Sequence, residues 1–268
     1  MAAMNGSELF EAGDLTGAVA ALTDAVKRNP MDQEGRGLLA ELLCLAGDLE
    51  RADKQLDVLS NQDVESAPAL AVFRQVVRAE LARREFYSQG RLPEFLGVPT
   101  PVLKKHLEAS ILLRDGEPGR AAELLAQAED ARQRPAGVCN GTAFDDFRDL
   151  DDLSACFLEV LTTTGKYYWV PMETVLSIEF HPPERPRDLL WRRAHLMVLD
   201  GPDGEIFVPA IYADPNGVGT DQSRLGRTTE WIESDGSPVL GVGQRTFLVG
   251  DAALPVMELE TVTFGDGA

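Results

Sequence analysis

Three histidines, three cysteines and a surplus of carboxylates are the residues of this 268-residue chain that could do chemistry. His106 sits in a helical stretch beside Lys104 and Lys105, which reads as a solvent-facing histidine rather than a catalytic one. His181 precedes Pro182-Pro183, a rigid extended segment, and His195 falls in a strand-like run. No G-x-S-x-G elbow offers a nucleophile for a histidine to activate. No His/Cys/Asp/Glu cluster has the spacing of metal ligands. Cys44, Cys139 and Cys156 form no C-x-x-C pair, and an odd count argues against a disulfide framework. Cys44 lies within Leu42-Leu43-Cys44-Leu45, where a small buried apolar residue is expected.

Asp145-Asp-Phe-Arg-Asp149-Leu-Asp151-Asp152 reads as a solvated turn at a helix N-terminus, with a short helix from Leu153 to Leu161 behind it. Asp214-Pro-Asn216-Gly217 starts like a calcium loop, but its fifth position is Val218 and no closing Glu follows in register, so it reads as a turn. Gly241-Val-Gly243 lacks the surrounding βαβ unit of a dinucleotide site. In so acidic a chain, paired carboxylates occur by number alone and nominate no hydrolase. The expectation is a protein that is not an enzyme and has no cofactor and no metal.

Charge narrows the partners. The net charge is −19, divided as −6 up to Arg134 and −13 beyond it. Such a chain repels nucleic acid and anionic membranes. It fits either simple solubility or a basic, amphipathic partner. No run of about 18 apolar residues is present to span a bilayer. The stretch Met1 to Glu8 has neither a basic nor an apolar leader region. A cytoplasmic protein is expected.

The positioning elements fall into two halves. Ala12-Gly-Asp14, Ala46-Gly-Asp48 and Asp115-Gly-Glu117 are each followed by an apolar-faced helix. Gly13 and Gly47 are 34 residues apart, and Gly47 and Gly116 are 69 apart, about twice that. A period of 34 is that of the tetratricopeptide helix-turn-helix. The glycine supplies a left-handed helix end, and the acid after it caps the next helix. A long helix over about 67–89 interrupts the period, and Pro99 and Pro101 lead into another over about 102–114. Arg134-Pro-Ala-Gly then marks a boundary.

Beyond it the pattern turns to strands: Lys166 to Pro171, Val175 to Phe180, and a hairpin of Arg193–Leu199 and Glu205–Ile211 around Asp200-Gly-Pro-Asp-Gly204. Thr229 to Ile232, Thr246 to Val249 and Val256 to Val262 are further candidates. The reading is an α+β chain. A TPR-like α-helical repeat domain covers 1–134, and a smaller β-rich domain, an antiparallel sheet or partly open barrel, covers 140–268.

Several motifs taken in order resemble the ImpE/TagJ family (also called SciE) of type VI secretion accessory proteins. They are Gly165-Lys-Tyr-Tyr-Trp-Val-Pro171, Arg187-Asp-Leu189 with Trp191, Val208-Pro209 with Tyr212, Leu225-Gly-Arg-Thr-Thr-Glu-Trp231 and Gly241-Val-Gly-Gln-Arg245. In the first half, Glu41-Leu-Leu-Cys-Leu-Ala-Gly-Asp48 also looks like the family. The resemblance implies a cytoplasmic, non-enzymatic adaptor. It would bind the N-terminal helix of the small sheath subunit and link the contractile sheath to its ClpV-type disassembly ATPase. Helix-in-groove binding suits such a ligand. A generic TPR-type adaptor or chaperone of another assembly is the alternative, and a hydrolase built on carboxylates of the second half comes third.

The partner-binding candidates come from those motifs. Strand alternation sends Tyr168 to one face and Tyr167 and Trp169 to the other, so at least one is core and another is free to anchor a partner. Arg227, Glu230 and Trp231 form either a contact surface or an internal ion pair beside a packed indole. Gln244 and Arg245, after two glycines, either brace loops or touch a ligand.

Overall fold

The structure, a computed structural model, describes residues 4–63 and 65–265. Met1 to Ala3, at the start of the stretch Met1 to Glu8, lie outside that range. Capping sets the helical half. Helices α1 (Gly6–Ala12) and α2 (Leu15–Arg28) form one hairpin, and α3 (Gln33–Leu45) and α4 (Leu49–Gln62) the next. Gly13 and Gly47 hold the left-handed turns at φ 86° and 90°. Asp14 and Asp48 accept the Gly17 and Arg51 amides and so cap the second helix of each pair.

The lone helix α5 (Ala67–Gln89) follows, then a hairpin of α6 (Pro101–Arg114) and α7 (Pro118–Ala131). In that third turn the Glu117 side chain pairs with Arg120 and accepts no capping amide, and Pro118 opens the helix instead.

Thirteen strands follow among the described residues: β1 (Gly137–Cys139), β2 (Thr142–Phe144), β3 (Phe147–Asp149), β4 (Phe157–Thr162), β5 (Tyr167–Pro171), β6 (Val175–Phe180), β7 (Trp191–Val198), β8 (Asp203–Pro209), β9 (Thr229–Ile232), β10 (Leu240–Gly243), β11 (Thr246–Val249), β12 (Ala252–Pro255) and β13 (Thr261–Phe264). A four-residue helix, α8 (Asp221–Arg224), precedes β9. The main sheet has eight strands in the order β2-β1-β13-β6-β7-β8-β4-β5, with every pair antiparallel. It is larger than the small sheet expected. Smaller sheets β12-β11-β3 and β10-β9 lie beside it.

Two segments differ from their sequence reading. Leu153–Leu161 is a turn entering β4, not a helix, because alternate residues of Phe157–Leu161 face two different cores. Val256–Glu258 is a 3₁₀ turn, and the strand proper begins only at Thr261.

One apolar core crosses from helices to sheet. It runs from Leu15 and Leu22 through Leu42 and Leu56 to Phe73 and Phe86, and on to Phe157, Trp169 and Trp191. Helix α5 is the joint: Phe73 and Phe86 meet Trp191 and Trp169 of the sheet, and Arg83 reaches Glu159 of β4. The opposite face of the sheet closes on a second core that includes Leu158, Val170, Leu196 and Phe247. Helical repeats need neighbours to bury their faces, and here the sheet acts as the neighbour of the last one.

Candidate functional site

Beside that apolar joint lies a chain of charges shut off from water. Arg83 of α5 forks onto Glu159 of β4, Nε to Oε1 and Nη2 to Oε2, both at 2.9 Å. Arg245, between β10 and β11, donates to Glu159 with one nitrogen and to Asp149 Oδ2 with the other, the latter at 2.6 Å. The Tyr87 and Tyr167 hydroxyls also donate to Glu159 Oε1, and the Tyr212 hydroxyl donates to Asp149. Arg83 is 2% exposed, and Glu159, Arg245 and Asp149 are at 0%. Charges so placed must be paired. Burial by itself would raise the Glu159 carboxyl, but Arg83 and Arg245 outweigh it and hold it down to about 2. Asp151, beside Asp149, is pushed up to about 7 by burial and by that neighbour's charge.

The acidic stretch 145–152 is therefore not simply a solvated turn. Asp149 and Asp151 face inward: Asp149 meets Arg245, and Asp151 accepts the Leu153, Ser154 and Gly241 amides. His106 also departs from its reading. It is buried, with Nδ1 at 2.8 Å from the Leu153 carbonyl and its ring edge-on to Phe157. Burial lowers it to about 4. Asp214 keeps its reading as a turn residue, accepting the Val218 and Gly219 amides.

The eight candidate residues divide by location. Tyr167 and Trp169 face α5. The Trp169 indole stacks on Phe157 at 3.8 Å and donates to the Tyr167 hydroxyl. Arg245 completes the charge chain. These three are buried. Tyr168 points to the opposite face, as alternation requires, and is half-buried. Arg227 makes no ion pair with Glu230. Its guanidinium instead donates to the Phe10 and Glu11 carbonyls at the end of α1. Gln222 and Asp221 join it there, on the Gly13 carbonyl and on Thr16. The 221–227 segment thus clamps the first repeat's turn. Trp231 packs edge-on to Tyr212 at 5.8 Å. Gln244 is half-buried, and Glu230 is exposed.

Sequence reasoning missed Glu159, Arg83 and Asp149. One signal was available: Glu159 interrupts the apolar run Phe157-Leu-Glu-Val-Leu161, and a charge inside a buried strand implies a buried partner.

Above the charge chain a cleft of about 300 Å³ opens between the α3–α4 turn, α5 and the 211–217 loop, with Arg84, Tyr87 and Arg224 on its walls. Among the described residues, no group of three or more His, Cys, Asp or Glu side chains is arranged to hold a metal ion. No helix there is long and apolar enough to cross a membrane.

Comparison with known proteins places this architecture. A family described as ImpE protein matches residues 141–263, and one described as Tetratricopeptide repeat matches residues 9–75. Over 262 residues the chain is 32% identical to the type VI secretion system accessory component TagJ of Pseudomonas aeruginosa, covering 98% of this chain and 92% of TagJ. The chain belongs to the ImpE/TagJ family. The crystal structure of protein VPA1032 from Vibrio parahaemolyticus superposes with a TM-score of 0.91 at 30% identity, over 98% of each chain. The family likeness thus takes in both the helical hairpins and the sheet, and the seam between them lies inside it.

Proposed function

We propose that this protein is a non-enzymatic accessory protein of a type VI secretion system. In this reading it works in the cytoplasm, binds the N-terminal helix of the small sheath subunit and couples the contractile sheath to its ClpV-type ATPase. The observation that carries the accessory role is the full-length likeness to TagJ. The physical features agree with it. Tetratricopeptide hairpins are binding scaffolds, and a net charge of −19 suits a basic protein partner. The buried Arg83–Glu159–Arg245–Asp149 chain has no exposed acid or base to offer a substrate; its role is to weld α5 to the sheet.

Co-purification tests the reading. The intact small sheath subunit should be retained by the immobilised protein, and a subunit lacking its N-terminal helix should not. Equal retention of both would refute the helix as the ligand, and retention of neither would refute the sheath partner.

A further inference from the structure

We propose that a cleft between the α6–α7 hairpin and the loop 237–239 is a binding site for a small uncharged alcohol or phenol, with His106 as the acceptor of its hydroxyl proton.

The cleft has a volume of about 220 Å³. Ala122 and Ala126 of α7 and Ala155, just ahead of β4, lie along it, and their small side chains leave the room. Leu125 and Pro238 complete an apolar lining. The walls are tied to one another. Arg148 of β3 donates to Glu129 of α7 and to Asp152, both at 3.0 Å. Asp152 accepts the Val239 amide at 2.8 Å, and its own amide donates to the Val239 carbonyl at 2.9 Å.

His106 lines this cleft from α6 and is 2% exposed. Its Nδ1 lies 2.8 Å from the Leu153 carbonyl, an oxygen that can only accept, so Nδ1 carries the ring proton. That leaves Nε2 with a bare lone pair, and no donor among the described residues reaches it. Burial lowers the ring to about 4, so it is neutral at pH 7 and the lone pair stays available. A buried acceptor without a donor is unfavourable, and a ligand that brings the donor removes that cost.

The rest of the lining chooses the ligand. Glu129 is held by Arg132 at 2.7 Å as well as by Arg148, and Asp152 by Arg148. Each wall carboxylate therefore has its guanidinium, and the cleft offers no unpaired ion to a charged ligand. An ammonium group would lose its hydration without gaining a free carboxylate. A carboxylate, an ether or a ketone has no proton to give to Nε2. An amide would bring a carbonyl oxygen into an apolar lining. A hydroxyl on a compact apolar body meets both demands, with the body against the alanine, leucine and proline side chains and the O–H on Nε2.

The test uses the full chain and two probes of nearly the same shape: phenol, and anisole, in which a methyl group replaces the hydroxyl proton. Titration is followed by the ¹⁵N signal of His106 Nε2 in histidine-labelled protein, which moves upfield when the nitrogen accepts a hydrogen bond. Phenol should give a saturable upfield shift, and anisole should bind about tenfold more weakly or less and leave the signal where it is. Ala126→Leu fills the cleft from an exposed position on α7, so the fold is retained, and it should abolish the phenol response. His106→Phe removes the acceptor and keeps a ring. Where circular dichroism shows that variant folded, it should bind the two probes alike.

Equal binding of phenol and anisole by the wild type would overturn His106 as the acceptor. A phenol response that survives Ala126→Leu would put the probe elsewhere and overturn the cleft. No movement of the His106 signal up to the solubility of phenol would overturn the site altogether and leave a hydrated surface cleft.

Discussion

Glu159→Gln is the substitution that most directly probes how the two halves are held together. The Glu159 carboxylate accepts five hydrogen bonds: two from Arg83, one from Arg245 and one each from the Tyr87 and Tyr167 hydroxyls. A carboxamide keeps the shape but offers one acceptor oxygen, and it turns an NH₂ group towards donors. At least two donors lose their acceptor, and two guanidinium groups lose the charge between them. Breaking a buried pair in this way costs about 3–5 kcal/mol. At about 2–4 °C per kcal/mol for a chain of this size class, the melting temperature should fall by about 10 °C. Differential scanning calorimetry gives the shift. Urea unfolding followed by far-UV circular dichroism and by tryptophan fluorescence gives the cooperativity. The first probe reports the helices; the second reports the sheet side, where Trp169 and Trp191 sit. Because the charge chain and the core both cross the seam, the two probes should give one midpoint in the wild type. A loss below about 1 kcal/mol, or wild-type helices that melt separately from the sheet, would refute the reasoning.

Acidification should act through His106 and Glu159 in the same direction. His106 is lowered from 6.5 to about 4, so its contribution is present above 6.5 and is lost as pH falls towards 4. By linkage that is worth about 3 kcal/mol. Glu159, held at about 2, should add a further loss as pH falls from 4.5 towards 2, and urea midpoints from pH 7 down to 2 in wild type and His106→Gln separate the two. Asp151 has the opposite sign: raised to about 7, it favours the fold when protonated, a contribution lost as pH rises through 7, and Asp151→Asn should flatten that part of the profile. Gly13→Ala and Gly116→Ala both force alanine into a left-handed turn, costing about 1–2 kcal/mol. Only at Gly13 would the new methyl run into Arg227 and Gln222, so thermal melts should show the larger loss there. Cys44, Cys139 and Cys156 are all buried, and an aromatic disulfide reagent should titrate no thiol until the chain unfolds.

Much of the fold could be read from the chain because it is specified locally. The Gly-Asp turns at Gly13 and Gly47 recur at a fixed period and need only their own neighbours to act. The hairpin around Asp200 to Gly204 is likewise a short-range signal, and alternation alone separated Tyr168 from Tyr167 and Trp169. What escaped was long-range. Glu159 meets Arg83 across 76 residues and Arg245 across 86, so nothing near any of them says which charge answers which. His106 looked exposed because Lys104 and Lys105 are its neighbours in sequence, while its spatial neighbours, Leu153 and Phe157, come from the other half of the chain. Arg227 reads in the sequence as either a partner contact or one half of an internal ion pair, yet it reaches back to the end of α1, more than two hundred residues away. Local pattern set the elements; the candidate site was written in pairings between them.

The most direct measurement of the central claim is a titration of the purified protein with a labelled peptide of the small sheath subunit's N-terminal helix, at low salt and at several-fold higher salt. Saturable binding that weakens as salt screens the acidic surface is the expected result. A helical, soluble peptide that shows no saturable binding at either salt concentration would contradict it.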